Sequence, residues 1–196
     1  MGNTVGSVAS RDRFLLSFPS ATAADYERHL KKFKSFLRDG ATEITHADWT
    51  TIFGQMPSVI PDYFERIFEM FDTDHNDTMS LDEFLLVCGV TYHGSYEQKI
   101  RLTFKLYDKD NSGALDKEEL REMMVSVVKV GMNLREVEKG NAAGIEIPEE
   151  LLSEIIRESD EILELLDDDK SGTLDIDEVL EGCALNKNIL KIFSSI

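Results

Sequence analysis

Apolar residues recur at helical spacing along this chain, and three such stretches run straight into short polar ones. Phe64, Ile67, Phe68 and Phe71 follow a start signal at Pro61-Asp62. Ile100, Phe104 and Tyr107 mark a second stretch. Leu152, Ile155, Ile156, Leu163 and Leu166 mark a third, opened by Pro148 and the acidic pair Glu149-Glu150. An earlier apolar group, Phe33, Phe36, Trp49, Ile52 and Phe53, flanks a polar stretch of its own. The pattern predicts an all-α chain. No stretch approaches the roughly 18 consecutive apolar residues of a membrane span. The run Phe14-Leu15-Leu16-Ser17-Phe18 ends at Pro19 and is too short for the core of a secretory signal.

The polar segments after the three helices align without gaps. They begin at Asp72, Asp108 and Asp167, and end twelve residues on at Glu83, Glu119 and Glu178. A calcium ion takes six to eight oxygens at about 2.3–2.6 Å, more than one helix face can direct at a point. A tight loop supplies them from positions one, three, five, seven, nine and twelve. In the first loop these are Asp72, Asp74, Asn76, Thr78 (through its carbonyl) and Glu83, with Ser80 at nine. In the second they are Asp108, Asp110, Ser112, Ala114, Asp116 and Glu119. In the third they are Asp167, Asp169, Ser171, Thr173, Asp175 and Glu178. Gly113 and Gly172 stand at position six, where the chain turns sharply; the first loop has Asp77 there and is expected to bind more weakly. Met79, Leu115 and Leu174 fill position eight, where an apolar side chain packs on a partner loop. These are EF-hand loops, and Ca2+ at up to three of them, with Mg2+ a candidate at rest, is the expected cofactor.

EF-hands pair, so three leave one without a partner. Stepping back about 35 residues from residue 72 reaches Leu37–Asp48, with Ile44 at position eight and no oxygen shell. This predicts four EF-hands, the first degenerate, in two paired lobes. The boundaries read as an N-terminal arm at 1–21, an N-lobe at 22–92 and a C-lobe at 97–193. An inserted loop is expected near 131–147, with Gly140, Asn141 and Gly144 marking it.

Charge changes the picture in two ways. The chain has 38 acidic and 21 basic residues, a net of −17, which excludes a nucleic-acid partner. Residues 1–48 are nearly neutral, with seven basic and six acidic residues, and gather Arg28, Lys31, Lys32, Lys34 and Arg38. That end is suited to an anionic surface and the remainder to cations. Cys88 and Cys183 read as buried free thiols. His29, His46, His75 and His93 show no zinc spacing and read as unclustered surface residues. No nucleophile–base arrangement or phosphate-cradling glycine loop stands out, so no enzymatic activity is expected.

The stretch Gly89-Val90-Thr91-Tyr92-His93-Gly94-Ser95-Tyr96-Glu97-Gln98-Lys99, then Phe104-Lys105-Leu106-Tyr107-Asp108, resembles the neuronal calcium sensor (recoverin-like) family. Glu181-Gly182 with Asn188-Ile189-Leu190, and the opening Met1-Gly2-Asn3, are similar to its ends. The resemblance implies a calcium sensor that opens a hydrophobic groove and receives an amphipathic helix of a target protein. The groove expected here is lined by Phe33, Trp49, Phe53, Phe64, Phe68, Phe84 and Leu85, with the Ile189–Phe193 cluster either covering it or belonging to the core. The resemblance also implies N-myristoylation at Gly2, although the residue at position six is Gly6 rather than serine or threonine. A cytoplasmic, reversibly membrane-associated protein is expected, since one acyl chain binds a bilayer only marginally. The family's first hand usually carries a Cys-Pro pair, which this chain lacks. A calcium buffer and a calcineurin-B-like regulatory subunit are the alternatives.

Overall fold

The computed structural model describes residues 6–53, 61–138 and 146–194. Gly2 and residues 139–145 of the expected insert lie outside the described residues. The chain divides into two compact units, Met1–Ser95 and Tyr96–Ile196.

Unit 1 contains α1 (Val8–Ser17), α2 (Ala23–Phe36), β1 (Ile44–Thr45), α3 (His46–Phe53), α4 (Pro61–Phe71), β2 (Thr78–Met79) and α5 (Leu81–His93). Helix α2 begins at a reciprocal cap, in which Thr22 Oγ1 accepts from the Asp25 amide and the Asp25 carboxylate accepts from the Thr22 amide. Its spacing puts Tyr26, Leu30 and Phe33 on the buried side and the lysines in water. The segment expected as an arm before residue 22 holds α1, which packs on α2 and α5. Phe14 and Phe18 are buried there. Phe18 lies so close to Gly89 of α5 that a β-carbon at that glycine would stand 1.9 Å from the ring. Ser20 donates to the carbonyl of His93 (3.0 Å), closing the turn after α1 onto the end of α5.

Unit 2 contains α6 (Tyr96–Tyr107), β3 (Ala114–Leu115), α7 (Lys117–Glu138), α8 (Glu149–Leu166), β4 (Leu174–Asp175), α9 (Ile176–Leu185) and α10 (Lys187–Phe193). Helix α7 continues to Glu138, into the stretch expected as a loop. Gly131 is accommodated inside it, and residues 132–138 include neither glycine nor proline to stop it. Arg121 of α7 donates from Nε and Nη2 to the two carboxylate oxygens of Asp160 on α8, at 3.0 and 2.9 Å, and Lys117 adds a third cation contact at 3.0 Å. Ile189 and Phe193 of α10 pack into this unit's own core with Ile100, Leu115, Met123 and Leu174. The buried Thr103 hydroxyl donates to the carbonyl of Phe193 at 2.7 Å.

Two short antiparallel ribbons carry the EF-hand pairing. In unit 1 Ile44 faces Met79, joining the degenerate loop to the first acidic one. In unit 2 Leu115 faces Leu174. All four position-eight side chains are fully buried, so the predicted partner-loop contact is present in both units.

Candidate metal centres and an apolar pocket

Each acidic loop folds around its first residue. The Asp72 carboxylate accepts from the amides of Asn76 (3.1 Å) and Asp77 (3.0 Å). Asp108 accepts from Ser112 (2.9 Å) and Gly113 (3.0 Å), and Asp167 from Ser171 (3.0 Å) and Gly172 (2.9 Å). The turn that presents those amides needs left-handed backbone at position six. Gly113 and Gly172 take φ of 82° and 83°, and Asp77 follows them at 62°. Aspartate enters this region at roughly 1 kcal/mol more than glycine. Position four is left-handed too, at His75, Asn111 and Lys170; Asn and His are enriched in this region, whereas Lys170 is not typical of it.

The closing glutamate ties the far end of each loop to its beginning. Glu83 accepts from the amides of Thr73 and Ser80, both at 2.9 Å. Glu119 accepts from Lys109 (2.7 Å) and Asp116 (3.0 Å), and Glu178 from Asp168 (3.0 Å) and Asp175 (2.9 Å). Positions one, three and twelve thereby converge. The carboxylates of Asp72, Asp74 and Glu83 have oxygens within 4.8 Å of one another, as do those of Asp108, Asp110 and Glu119, and of Asp167, Asp169 and Glu178. Two unit charges at that separation repel by roughly 1 kcal/mol in water and roughly 3 kcal/mol at an effective dielectric of 20. Such a set of hard, ionised oxygens fits a divalent cation. Hydrogen bonds from Ser112 hold the Asp110 carboxyl below its usual range. Asp167 is held low as well: burial works the other way, but the Gly172 and Ser171 amides prevail.

Other predicted ligands occupy related but different positions. Asn76 Oδ1 accepts from the Thr78 amide (2.8 Å), and the Ser112 hydroxyl donates to the Ala114 carbonyl (2.9 Å). Ser171 does the same to Thr173 at 3.2 Å. Asp116 and Asp175, at position nine, cap the following helices: each accepts from two helix-start amides at 2.8 and 2.9 Å. Their aspartate-x-x-glutamate spacing is a capping signal that a ligand reading alone passes over. In the degenerate loop, the Asp48 carboxylate at position twelve pairs with Arg38 at position two and accepts from the Thr45 hydroxyl at 2.8 Å, while the Asp48 amide donates to Thr45 Oγ1 at 3.2 Å. A guanidinium stands where the other loops gather carboxylates.

Unit 1 also contains a cavity of about 750 Å³. Trp49, Phe53, Phe64 and Phe84 of the expected groove line it, joined by Phe36, Ile67 and Val87. Phe33, Phe68 and Leu85 lie in the core, at most 2% exposed. Aromatic contacts organise the wall: Phe53 stacks on Phe64 with ring centroids 4.4 Å apart, and Trp49 lies 4.4 Å from Phe53. The Trp49 indole N–H donates to the Phe64 carbonyl at 2.9 Å.

The histidines correct the expectation of unclustered surface residues. His29 is only 6% exposed, its ring 5.8 Å from that of His93 and stacked on Tyr92 at 5.5 Å. Burial and the neighbouring His93 push His29 down from its ordinary pKa. His46 opens α3, where its ring lies flat on Phe68 (4.5 Å) and bonds to Glu65, with Nδ1 3.3 Å from Asp77. The bond to Glu65 raises its pKa, despite some burial. Both cysteines are buried free thiols, and burial pushes Cys88 up to about 12 and Cys183 to about 11.

Paired helix–loop–helix units closed by a short ribbon, with three convergent carboxylates per acidic loop, define an EF-hand calcium-binding protein. The model of an EF-hand domain pair matches residues 97–184. Guanylyl cyclase-activating protein 2 of Gallus gallus is 33% identical over 132 residues, covering 67% of this chain and 62% of that relative. Guanylyl cyclase-activating protein 1 of Lithobates pipiens is 25% identical over 175 residues, 88% of this chain and 77% of the relative. Human recoverin is 28% identical over 133 residues, 66% of each chain. The chain carries an EF-hand domain pair, and these relatives are members of the neuronal calcium sensor family. Its relatives are calcium sensors that regulate target proteins and are not enzymes. The match spans less than two thirds of the first of them. Among the described residues no helix is long and apolar enough to cross a membrane.

Proposed function

We propose that this chain is a calcium sensor whose ions enter the loops at 72–83, 108–119 and 167–178. The observation that carries the reading is the convergence of three carboxylates in each of these loops, with the twelfth residue fixed to both loop ends. An ion that takes both oxygens of Glu83, Glu119 or Glu178 must draw that carboxylate away from the amides it now accepts from. Each glutamate sits in the first turn of the exiting helix, so the helix moves with it. In unit 1 this widens the cavity beside α5 into a groove for an amphipathic helix of a target protein. Affinities on the order of 10⁻⁷–10⁻⁵ M suit such loops, with the Asp77-containing loop the weakest.

N-myristoylation of Gly2, together with the exposed lysines of α2, would place the protein reversibly at an anionic membrane surface, in keeping with the two signals such anchoring needs. The names of the relatives make a guanylyl cyclase the first target to assay. The test is calorimetric titration of the metal-free protein with Ca2+, paired with an apolar dye and with liposome co-sedimentation of the eukaryotically expressed chain. Three bound ions with a calcium-dependent rise in dye binding are expected. Ion binding without new apolar exposure would make the chain a buffer.

A further inference from the structure

The cavity of unit 1 is polar at one end, and that end has a single sign. Among the described residues its wall includes Arg28, His29, Lys32 and His93 and no carboxylate, in a chain that carries 38 acidic residues. The order of the wall follows from its contacts. Phe64 stacks on Phe53, Phe53 meets Phe36 at 5.6 Å, and the Lys32 ammonium lies over the Phe36 ring at 4.7 Å. One turn earlier on α2 come Arg28 and His29, with His93 beside them from the end of α5. The aromatic end therefore grades into a basic end.

Two atoms at the basic end are unsatisfied. Nε2 of His29 and Nε2 of His93 are both buried without a hydrogen-bond partner. Buried polar atoms are nearly always paired, and leaving one unpaired is costly. Nothing in α1, α2 or α5 reaches these two, although both rings line the cavity. A polar group brought in by an occupant is what would complete them. Among the described residues Lys32 has no acidic partner, while Arg28 shares Asp25 at 2.8 Å and keeps further donors.

We propose that the target helix carries an acidic side chain at one end of its apolar face, and that this carboxylate seats against His29 and His93 with Arg28 and Lys32 beside it. The apolar anchors of the same helix then lie toward Trp49, Phe53 and Phe64, which fixes the direction in which the helix docks. The inference rests on the groove reading above and adds the charge and polarity of the partner. A carboxylate offers enough lone pairs to accept from both imidazole N–H groups at once, and a partner lysine would meet two cations. The depressed basicity of His29 in the free protein fits an imidazole that waits neutral for its acid.

The test uses the full chain loaded with Ca2+ and three synthetic helices of about sixteen residues. They share one apolar face of Leu and Phe at i, i+3, i+4 and i+7, and differ only in a terminal Glu, Gln or Lys beyond that face. Binding is read from Trp49, the chain's one tryptophan and part of the cavity wall. The Glu helix should bind about tenfold tighter than the Gln helix, and the Lys helix more weakly than either. The double variant His29→Phe/His93→Phe should bring the Glu-to-Gln ratio close to one. Arg28→Gln/Lys32→Gln, at exposed positions that do not threaten the fold, should shrink the same ratio. Equal binding of the Glu and Gln helices to the unaltered protein, or preference for Lys, overturns the inference and leaves the groove intact. Failure of all three helices to bind overturns the groove reading and this inference with it.

Discussion

Ile44 belongs to a loop that gathers no carboxylates, yet it is completely buried and faces Met79 across the ribbon of unit 1. If the degenerate hand is kept to hold the first acidic loop in shape, shortening this one side chain must weaken the whole unit. Ile44→Ala removes three carbons from a completely buried site that the ribbon to Met79 holds in register, which leaves little freedom to collapse. Buried isoleucine-to-alanine changes cost roughly 2–5 kcal/mol, and about 3 is expected here. With a urea dependence of about 1.5 kcal/mol per molar, the midpoint should fall by about 2 M. The assay is urea unfolding of the chelator-treated protein followed by the fluorescence of Trp49, which is 1% exposed and sits inside the affected core. Thr42→Ala, at an exposed position of the same loop, should leave the midpoint within about 0.3 M. A shift below about 0.5 M for Ile44→Ala would refute the argument that the silent loop supports its partner.

Glu119→Gln should abolish one calcium-binding event in calorimetry while leaving the other two, because glutamine cannot supply the bidentate charged shell that position twelve provides. Thr103→Val should destabilise unit 2 by about 1–2 kcal/mol, since the Phe193 carbonyl loses its buried donor; unfolding followed by circular dichroism measures it. Two histidines should give unit 1 opposite pH dependences in chelator. The pKa of His46 is raised in the folded state by Glu65, so its contribution is complete below the ordinary value of 6.5 and is lost as pH rises through the folded value; His46→Gln should remove that decline. The pKa of His29 is lowered by burial, so its contribution is complete above 6.5 and is lost as pH falls below it; His29→Phe should flatten that side, and an unchanged profile in both variants defeats the assignment. Cys88, with its pKa pushed to about 12, should resist alkylation at pH 8 until urea unfolds unit 1, as read by intact mass.

What was legible in the chain was whatever has a fixed spacing. Carboxylates at one, three and twelve and an apolar residue at eight recur at set intervals, with glycine at six in two of the loops, so the three acidic loops could be aligned without coordinates and the silent fourth placed by its spacing and Ile44. Features without periodicity were not legible. Phe14 and Phe18 look like a truncated signal because Pro19 ends the run, and only the approach of Phe18 to Gly89 reveals α1 as part of the unit. His29 and His93 stand 64 positions apart in the sequence and meet only because α2 packs on α5. Asp116 and Asp175 satisfy the ligand spacing and the capping spacing at once, and sequence offers no means to choose between them. The expected insert opens at Gly131, yet a single glycine costs a helix only about 1 kcal/mol, which the 22 residues of α7 absorb.

The silent hand also answers a question of charge. A fourth acidic loop in unit 1 would crowd more carboxylates beside those of Asp72, Asp74 and Glu83 and would set a negative field near the cavity. The degenerate loop instead closes on itself through Arg38 and Asp48, a neutral pair that requires no ion. Its exiting helix α3 stays in place without metal, fixed by His46 between Glu65 and Asp77 and by the Thr50 hydroxyl donating to Glu65 at 2.8 Å. Trp49 and Phe53 on that helix thus form a wall held by metal-independent contacts, while α5 across the cavity carries Glu83 in its first turn and, in the proposed mechanism, moves with it. One fixed wall and one metal-linked wall are what a cavity needs if ion binding is to change its width. A pair of equally occupied hands would move both walls and leave the apolar surface without a reference. Replacing Arg38 by aspartate should therefore loosen α3 in chelator and blunt the calcium-dependent change in Trp49 emission, whereas Arg38→Lys should preserve both.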